Sequence, residues 1–69
     1  MMKEVKINTD IIKLDSFLKW CGAVSQGSDA KFLIQSGEVK VNGEVCTQRG
    51  KKLKKEDEIE FDENIYKII

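Results

Sequence analysis

Between Ser28 and Gly43 the chain reads SDAKFLIQSGEVKVNG, and local instructions follow one another there without a gap. Ser28 has the hydroxyl to accept an orphan amide of a first helical turn, and Asp29 suits the positive end of the helix dipole. Ala30, Leu33 and Ile34 recur at helical spacing and mark the face to be buried. Gly37 is the stop, since glycine takes the left-handed conformation that ends helices at little cost. Val39 and Val41 alternate with Glu38 and Lys40, the period of a half-buried strand. Asn42-Gly43 then predicts a tight hairpin, because a type I′ turn needs positive φ at both central residues. Helix, stop, strand and turn are thus expected in direct succession, with a second hairpin strand from Val45 toward Thr47.

The flanking segments are read against that centre. Val5 and Ile7 alternate with Lys6 in a short strand, and Asn8-Thr9-Asp10 breaks it. The next helix has two possible starts, one at Thr9 or Asp10 and one near Leu14-Asp15. Leu14, Phe17, Leu18 and Cys21 share a face, and Gly22 ends the helix. Residues 48–52 read as a polar, basic loop, with Leu53 pinning it to the core. Ile59 and Phe61 predict a strand with an acidic outer face, Asp62-Glu63-Asn64 a tight turn, and residues 65–69 a last strand. Trp20 is read as packing on the rim of the core, three residues from Phe17.

Sixty-nine residues are enough for one domain but few for a deep enclosed cavity, since a chain this short buries only about 60% of its unfolded surface. With no histidine in the sequence, the usual general base near neutral pH is missing, and none of the serines has a partner to activate it. Cys21 and Cys46 lack the paired spacing of a zinc site and read as ordinary thiols. The carboxylates of residues 56–63 read as a solvated face rather than a metal site. No apolar run approaches the roughly 20 residues of a membrane span, and no signal-peptide pattern opens the chain, so the cytoplasm is expected. Twelve basic residues balance twelve acidic ones, yet the bases crowd residues 40–55 and the acids follow from Glu56. Within a Debye length of about 8 Å a phosphate feels the local patch more than distant acids.

The motifs A-x-x-L-I and G-x-V-x-V-N-G, with Lys13-Leu14-Asp15-Ser16-Phe17-Leu18 before them and Leu53-Lys54-Lys55-Glu56-Asp57-Glu58-Ile59 after, carry a resemblance. The chain resembles the small RNA-binding domain named after the fourth ribosomal protein of the small subunit, the S-four domain. The motif core covers about residues 13–61 of a single domain spanning 1–69. Arg49-Gly50-Lys51-Lys52-Leu53 and the glycine before the second helix are similar to the stand-alone bacterial branch (YaaA/YbcJ-like proteins). Three positions depart from the pattern. Lys13 replaces the first Arg and loses its planar fork, Gln26-Gly27-Ser28 lacks an Arg, and Glu56 stands where the family often has Gly.

The expected fold class is α+β, an angled two-helix motif packed on a small, mostly antiparallel twisted sheet. The resemblance implies a non-catalytic RNA-binding protein, recognising structured ribosomal RNA or a ribosome assembly particle. Carried over by position, it assigns RNA contact to Lys13, to Gly27, Ser28 and Lys31 at the second helix start, to Lys40, and to Arg49, Lys51 and Lys52, with Lys54 and Lys55 nearby. With one Arg and many Lys, such a surface reads phosphate position and RNA shape more than bases. No cofactor, metal, membrane or small-molecule substrate is expected, and the chain is expected to act as a monomer. The rival reading is a protein-interaction adaptor that uses the acidic strand 58–63.

Overall fold

The structure is a computed structural model and describes residues 2–69. Seven strands and two helices follow in the order β1 (Met2–Val5), β2 (Ile11–Lys13), α1 (Leu14–Trp20), α2 (Gly27–Gln35), β3 (Val39–Val41), β4 (Glu44–Val45), β5 (Lys52–Lys54), β6 (Glu58–Phe61) and β7 (Asn64–Ile68). Five strands form one sheet in the order β1-β7-β6-β3-β4, while β2 and β5 form a separate antiparallel ribbon. The class is α+β as expected. Only β1 and β7 pair in parallel, which joins the first described strand to the last.

The central stretch folds as its residues dictate, with one correction. Helix α2 begins at Gly27, its N-cap is Gln26 without a side-chain capping bond, and Ser28 lies inside the first turn. The chain enters α2 two residues earlier than the serine signal suggests, and the Gln26 carbonyl takes the Ala30 amide at 3.3 Å. At the other end Gly37 has φ +81°. Its amide donates to the Ile34 carbonyl at 3.2 Å, and that of Glu38 donates to Leu33 at 3.1 Å. This is the paired arrangement that closes a helix on a left-handed residue. Gly22 (φ +82°) ends α1 in the same way, with Gly22 bonded to Lys19 and Ala23 to Leu18. Asn42 and Gly43 both have positive φ, 52° and 86°, so the hairpin turn is the expected one. Its second strand is short, however, ending at Val45.

Leu14, Phe17 and Leu18 from α1 and Ala30 and Ile34 from α2 meet Val39, Val41, Leu53, Ile59, Tyr66 and Ile68 in the core. Phe17 and Tyr66 pack edge-on at 6.4 Å, a favoured aromatic geometry. Trp20 sits at the rim, half exposed, and its indole donates to the Lys6 carbonyl at 2.9 Å. That bond ties the end of α1 to the segment after β1.

Two segments depart from the sequence reading. Ile11–Lys13, which the earlier of the two helix starts would have placed in α1, is a strand, and Lys52–Lys54 is a strand where the basic loop was expected to run to Lys52. Each is only three residues long, too short to show a period. They form because Ile12 and Leu53 stand opposite each other and Leu53 is fully buried. Helix α1 accordingly takes the later of its two possible starts, directly after β2.

The turn after β5 explains a departure from the family pattern. Asp57 donates its amide to the Lys54 carbonyl at 3.1 Å, and Glu56 between them has φ +81°. A residue with a Cβ is strained there, and glycine is not. Against that strain stands an ion pair between Lys67 Nζ and Glu56 Oε2 at 3.4 Å, with the carboxylate side chain 76% exposed; exposed pairs of this kind contribute about 0–1 kcal/mol. Glu56→Gly should therefore raise stability by up to about 1 kcal/mol, or roughly 4–8 °C in Tm. Glu56→Ala, which loses the ion pair and keeps the Cβ, should not. Thermal melts of the two variants check this.

Cys21 and Cys46 are free and half-buried. Burial pushes the Cys21 thiol upward, and hydrogen bonds from the Ala23 and Cys21 backbone and the charge of Lys3 only partly oppose it. A raised thiol favours the neutral form in the fold. Its contribution is fully present below the unfolded value of about 8.5 and is lost as pH rises through the folded one. Stability should thus fall at alkaline pH, and Cys21→Ala should make that fall shallower in denaturant titrations at pH 8 and 10.

Candidate nucleic-acid interface

The ribbon β2–β5 builds the basic site. Its register sets Lys13 directly opposite Lys52, and Lys54 opposite Ile11. All three lysines are exposed, while Leu53 between two of them points inward. Like charges directly opposite each other on a strand pair are destabilising, so this arrangement costs the fold rather than supporting it.

The loop before β5 is held to the start of α1 by backbone bonds. The Leu14 amide donates to the Lys51 carbonyl at 2.9 Å, and the Asp15 amide to the Arg49 carbonyl at 3.1 Å. These bonds cap α1, whose N-cap residue Lys13 has no side-chain capping bond. They also fix the loop that carries Arg49, Lys51 and Lys52 beside Lys13. Lys13 and the distant segment carrying Arg49, Lys51 and Lys52 are thereby drawn around one end of one helix.

Gly27, Ser28 and Lys31 lie on α2, which packs against α1. Gly27 and Ser28 open the helix, and Lys31 stands three residues on from Ser28, on the same exposed face. A Cβ at Gly27 would meet no atom within 4 Å, so packing does not require a glycine at that position. Phe32, which the sequence reading left unassigned, shares this face and is 71% exposed. Its spacing of four from Ser28, outside the Ala30–Ile34 face, is the signal that places it in solvent.

Lys40 is set apart. It lies on the outer face of the five-stranded sheet, opposite Glu60 on β6 and Val45 on β4. Glu58 in turn stands opposite Lys67. The carboxylates of β6 therefore face lysines on both neighbouring strands.

A polar network joins the ends of two motifs. Asn42 Nδ2 donates to Asp57 Oδ1 at 3.2 Å, and Asn42 Oδ1 accepts the Glu58 amide at 2.9 Å. Asp57 Oδ2 accepts the Lys54 amide at 2.9 Å. The asparagine of the hairpin turn and the aspartate after β5 thus hold the hairpin to the end of the ribbon. Among the described residues no group of three or more Cys, Asp and Glu side chains is placed to hold a metal ion, and no helix is long and apolar enough to cross a membrane.

Comparison with known proteins agrees with this architecture. Residues 5–69 match the S4 domain family. A protein of Bacillus subtilis (strain 168), named as the probable ribosome maturation protein RlbA, is 36% identical over 62 residues, covering 90% of this chain and 87% of that protein. With the family match spanning nearly all of its length, the chain belongs to the S4 domain family of RNA-binding domains.

Proposed function

We propose that the protein binds structured ribosomal RNA, or a ribosomal particle during its maturation, without catalysing a reaction. The observation that carries this reading is the placement of Lys13 against Lys52, beside the loop of Arg49 and Lys51. A fold that keeps like charges together against their repulsion supplies a site for an anion, and phosphate is the anion RNA offers at regular spacing. The name of the Bacillus subtilis relative supports the ribosomal assignment. The chain acts as one unit in the cytoplasm, as a monomer, with the ribbon and the start of α2 as its RNA face. Gly27, Ser28 and Lys31 add backbone amides and a charge at a helix N-terminus, which favours phosphate. Lys40, opposite Glu60 and Val45, belongs to the neighbouring sheet rather than to the ribbon. The adaptor reading is weakened by the same register, because lysines across from Glu58 and Glu60 offset the acidic strand.

Titration of a ribosomal RNA fragment at several salt concentrations tests this. With about four to five phosphates contacted, log K against log salt should fall with a slope of roughly −3 to −4. Binding independent of salt would overturn the reading. Gly27→Ala separates fold from function at the second helix. It should hold or slightly raise the melting temperature, since the site has room, and weaken RNA binding by keeping the phosphate at a distance.

A further inference from the structure

The β3–β4 hairpin and the β2–β5 ribbon belong to different sheets, and an open cleft of about 710 Å³ lies between them. Ile11 from the ribbon and Val45 from the hairpin line it and are 51% and 56% exposed. Lys51, Lys52 and Lys54 line the same cleft, with the polar side chains of Thr47 and Gln48. Two carboxylates are also present, Glu44 and Asp57. Asp57 is engaged by the Lys54 amide and the Asn42 side chain, so its oxygens are turned to the turn rather than to a ligand. The cleft thus combines aliphatic walls, three lysines and neutral hydrogen-bonding groups, with the Glu44 carboxylate of β4 on the hairpin side.

A duplex is too wide for a recess of this size, which lies within the range of about 300–1,000 Å³ that holds single small molecules. One nucleotide presents what the lining matches: an apolar base face, polar base edges and a phosphate on each side. Bases turned out of a helix are commonly held between apolar side chains and read along their edges. We propose that this cleft takes one unpaired nucleotide of the bound RNA, with its base between Ile11 and Val45 and its phosphates on Lys51, Lys52 and Lys54. The proposal rests on the RNA reading above and adds the class of RNA, one that offers a bulge, loop or end beside a helix.

Two RNA hairpins test it, identical except that one carries a single bulged 2-aminopurine nucleotide. The wild-type protein should bind the bulged hairpin at least about fivefold more tightly, the lower end of the scale for a base on an aromatic ring, since the walls here are aliphatic. The 2-aminopurine fluorescence should change on binding, and the Ile11 and Val45 methyl resonances should shift. Val45→Asp should abolish the preference while leaving affinity for the fully paired hairpin within about twofold. The methyl shifts are read on wild-type protein, so they decide the matter even if that variant folds poorly. Equal affinity for the two hairpins, or methyl resonances unmoved by the bulged one, would overturn the cleft proposal and leave RNA binding standing. Methyl shifts with adenosine monophosphate at concentrations as low as those of the bulged RNA would overturn it in favour of a free nucleotide. Failure to bind either hairpin at low salt would overturn the RNA reading as well.

Discussion

Leu53→Ala should lower the melting temperature by at least about 10 °C. Leu53 is fully buried on β5, opposite Ile12, and belongs to the same core as Leu14, Phe17 and Leu18. Truncating a buried leucine costs on the order of 2–5 kcal/mol, through lost burial and the void left behind. A chain of 69 residues has only about 3–10 kcal/mol of total stability, so one such cavity removes a large share of it. At about 4–8 °C per kcal/mol for a domain this small, the shift is plain in a thermal melt. RNA binding should fail only where the protein has unfolded, because the leucine faces the core and its neighbours Lys52 and Lys54 face solvent. Measured well below the new melting temperature, affinity should therefore match the wild type. Loss of binding while circular dichroism still reports folded protein would mean that the ribbon opens on its own.

That leucine also shows where the sequence was legible and where it was not. Its burial could be read from isolation alone, one apolar residue in a polar run. Its strand could not, because three residues carry too little alternation and the partner, Ile11–Lys13, lies some forty positions earlier. The hairpin at Asn42-Gly43 was legible because its signals are local: a turn requiring positive φ writes itself as Asn-Gly. The turn at Asp62 and Glu63 uses the same geometry, with φ 53° and 65°, and was legible from its run of Asp, Glu and Asn without a glycine. Asn42 was legible as a turn residue and Asp57 only as one of an acidic run, and neither as the partner of the other, since side-chain pairing across fifteen positions leaves no local trace. The candidate site follows the same division. Each lysine was visible, but the sequence could not tell that Lys13 meets Lys52 across a ribbon or that Lys40 faces Glu60. Strand register decides both, and register is a tertiary property.

The Lys13–Lys52 register leads to a prediction in which stability and binding move in opposite directions. Lys52→Glu places a carboxylate opposite Lys13 where an ammonium now stands. Opposite charges on facing strand positions contribute roughly 0.2–1 kcal/mol, and like charges cost a similar amount. Both positions are exposed and salt screens them, so the variant should melt at the same temperature or a few degrees higher. RNA affinity should fall by at least about tenfold, since one phosphate contact is lost, its neighbour Lys13 is partly neutralised, and a carboxylate repels the backbone. The salt slope should shrink by about one to two units, roughly 0.9 for each contact removed. Lys40→Glu is the control of equal charge change, placed on the five-stranded sheet opposite Glu60 and Val45 rather than on the ribbon. It should leave affinity within about twofold and lower stability slightly by setting two acids side by side. If the two variants weakened binding equally, RNA would be responding to net charge, and the ribbon would have no special place in recognition. If Lys52→Glu weakened binding only in proportion to lost folding, the paired lysines would be structural. An increase in melting temperature together with a tenfold loss of affinity is the outcome that an anion site held against its own repulsion requires, because a fold optimised for stability alone would not keep two lysines face to face.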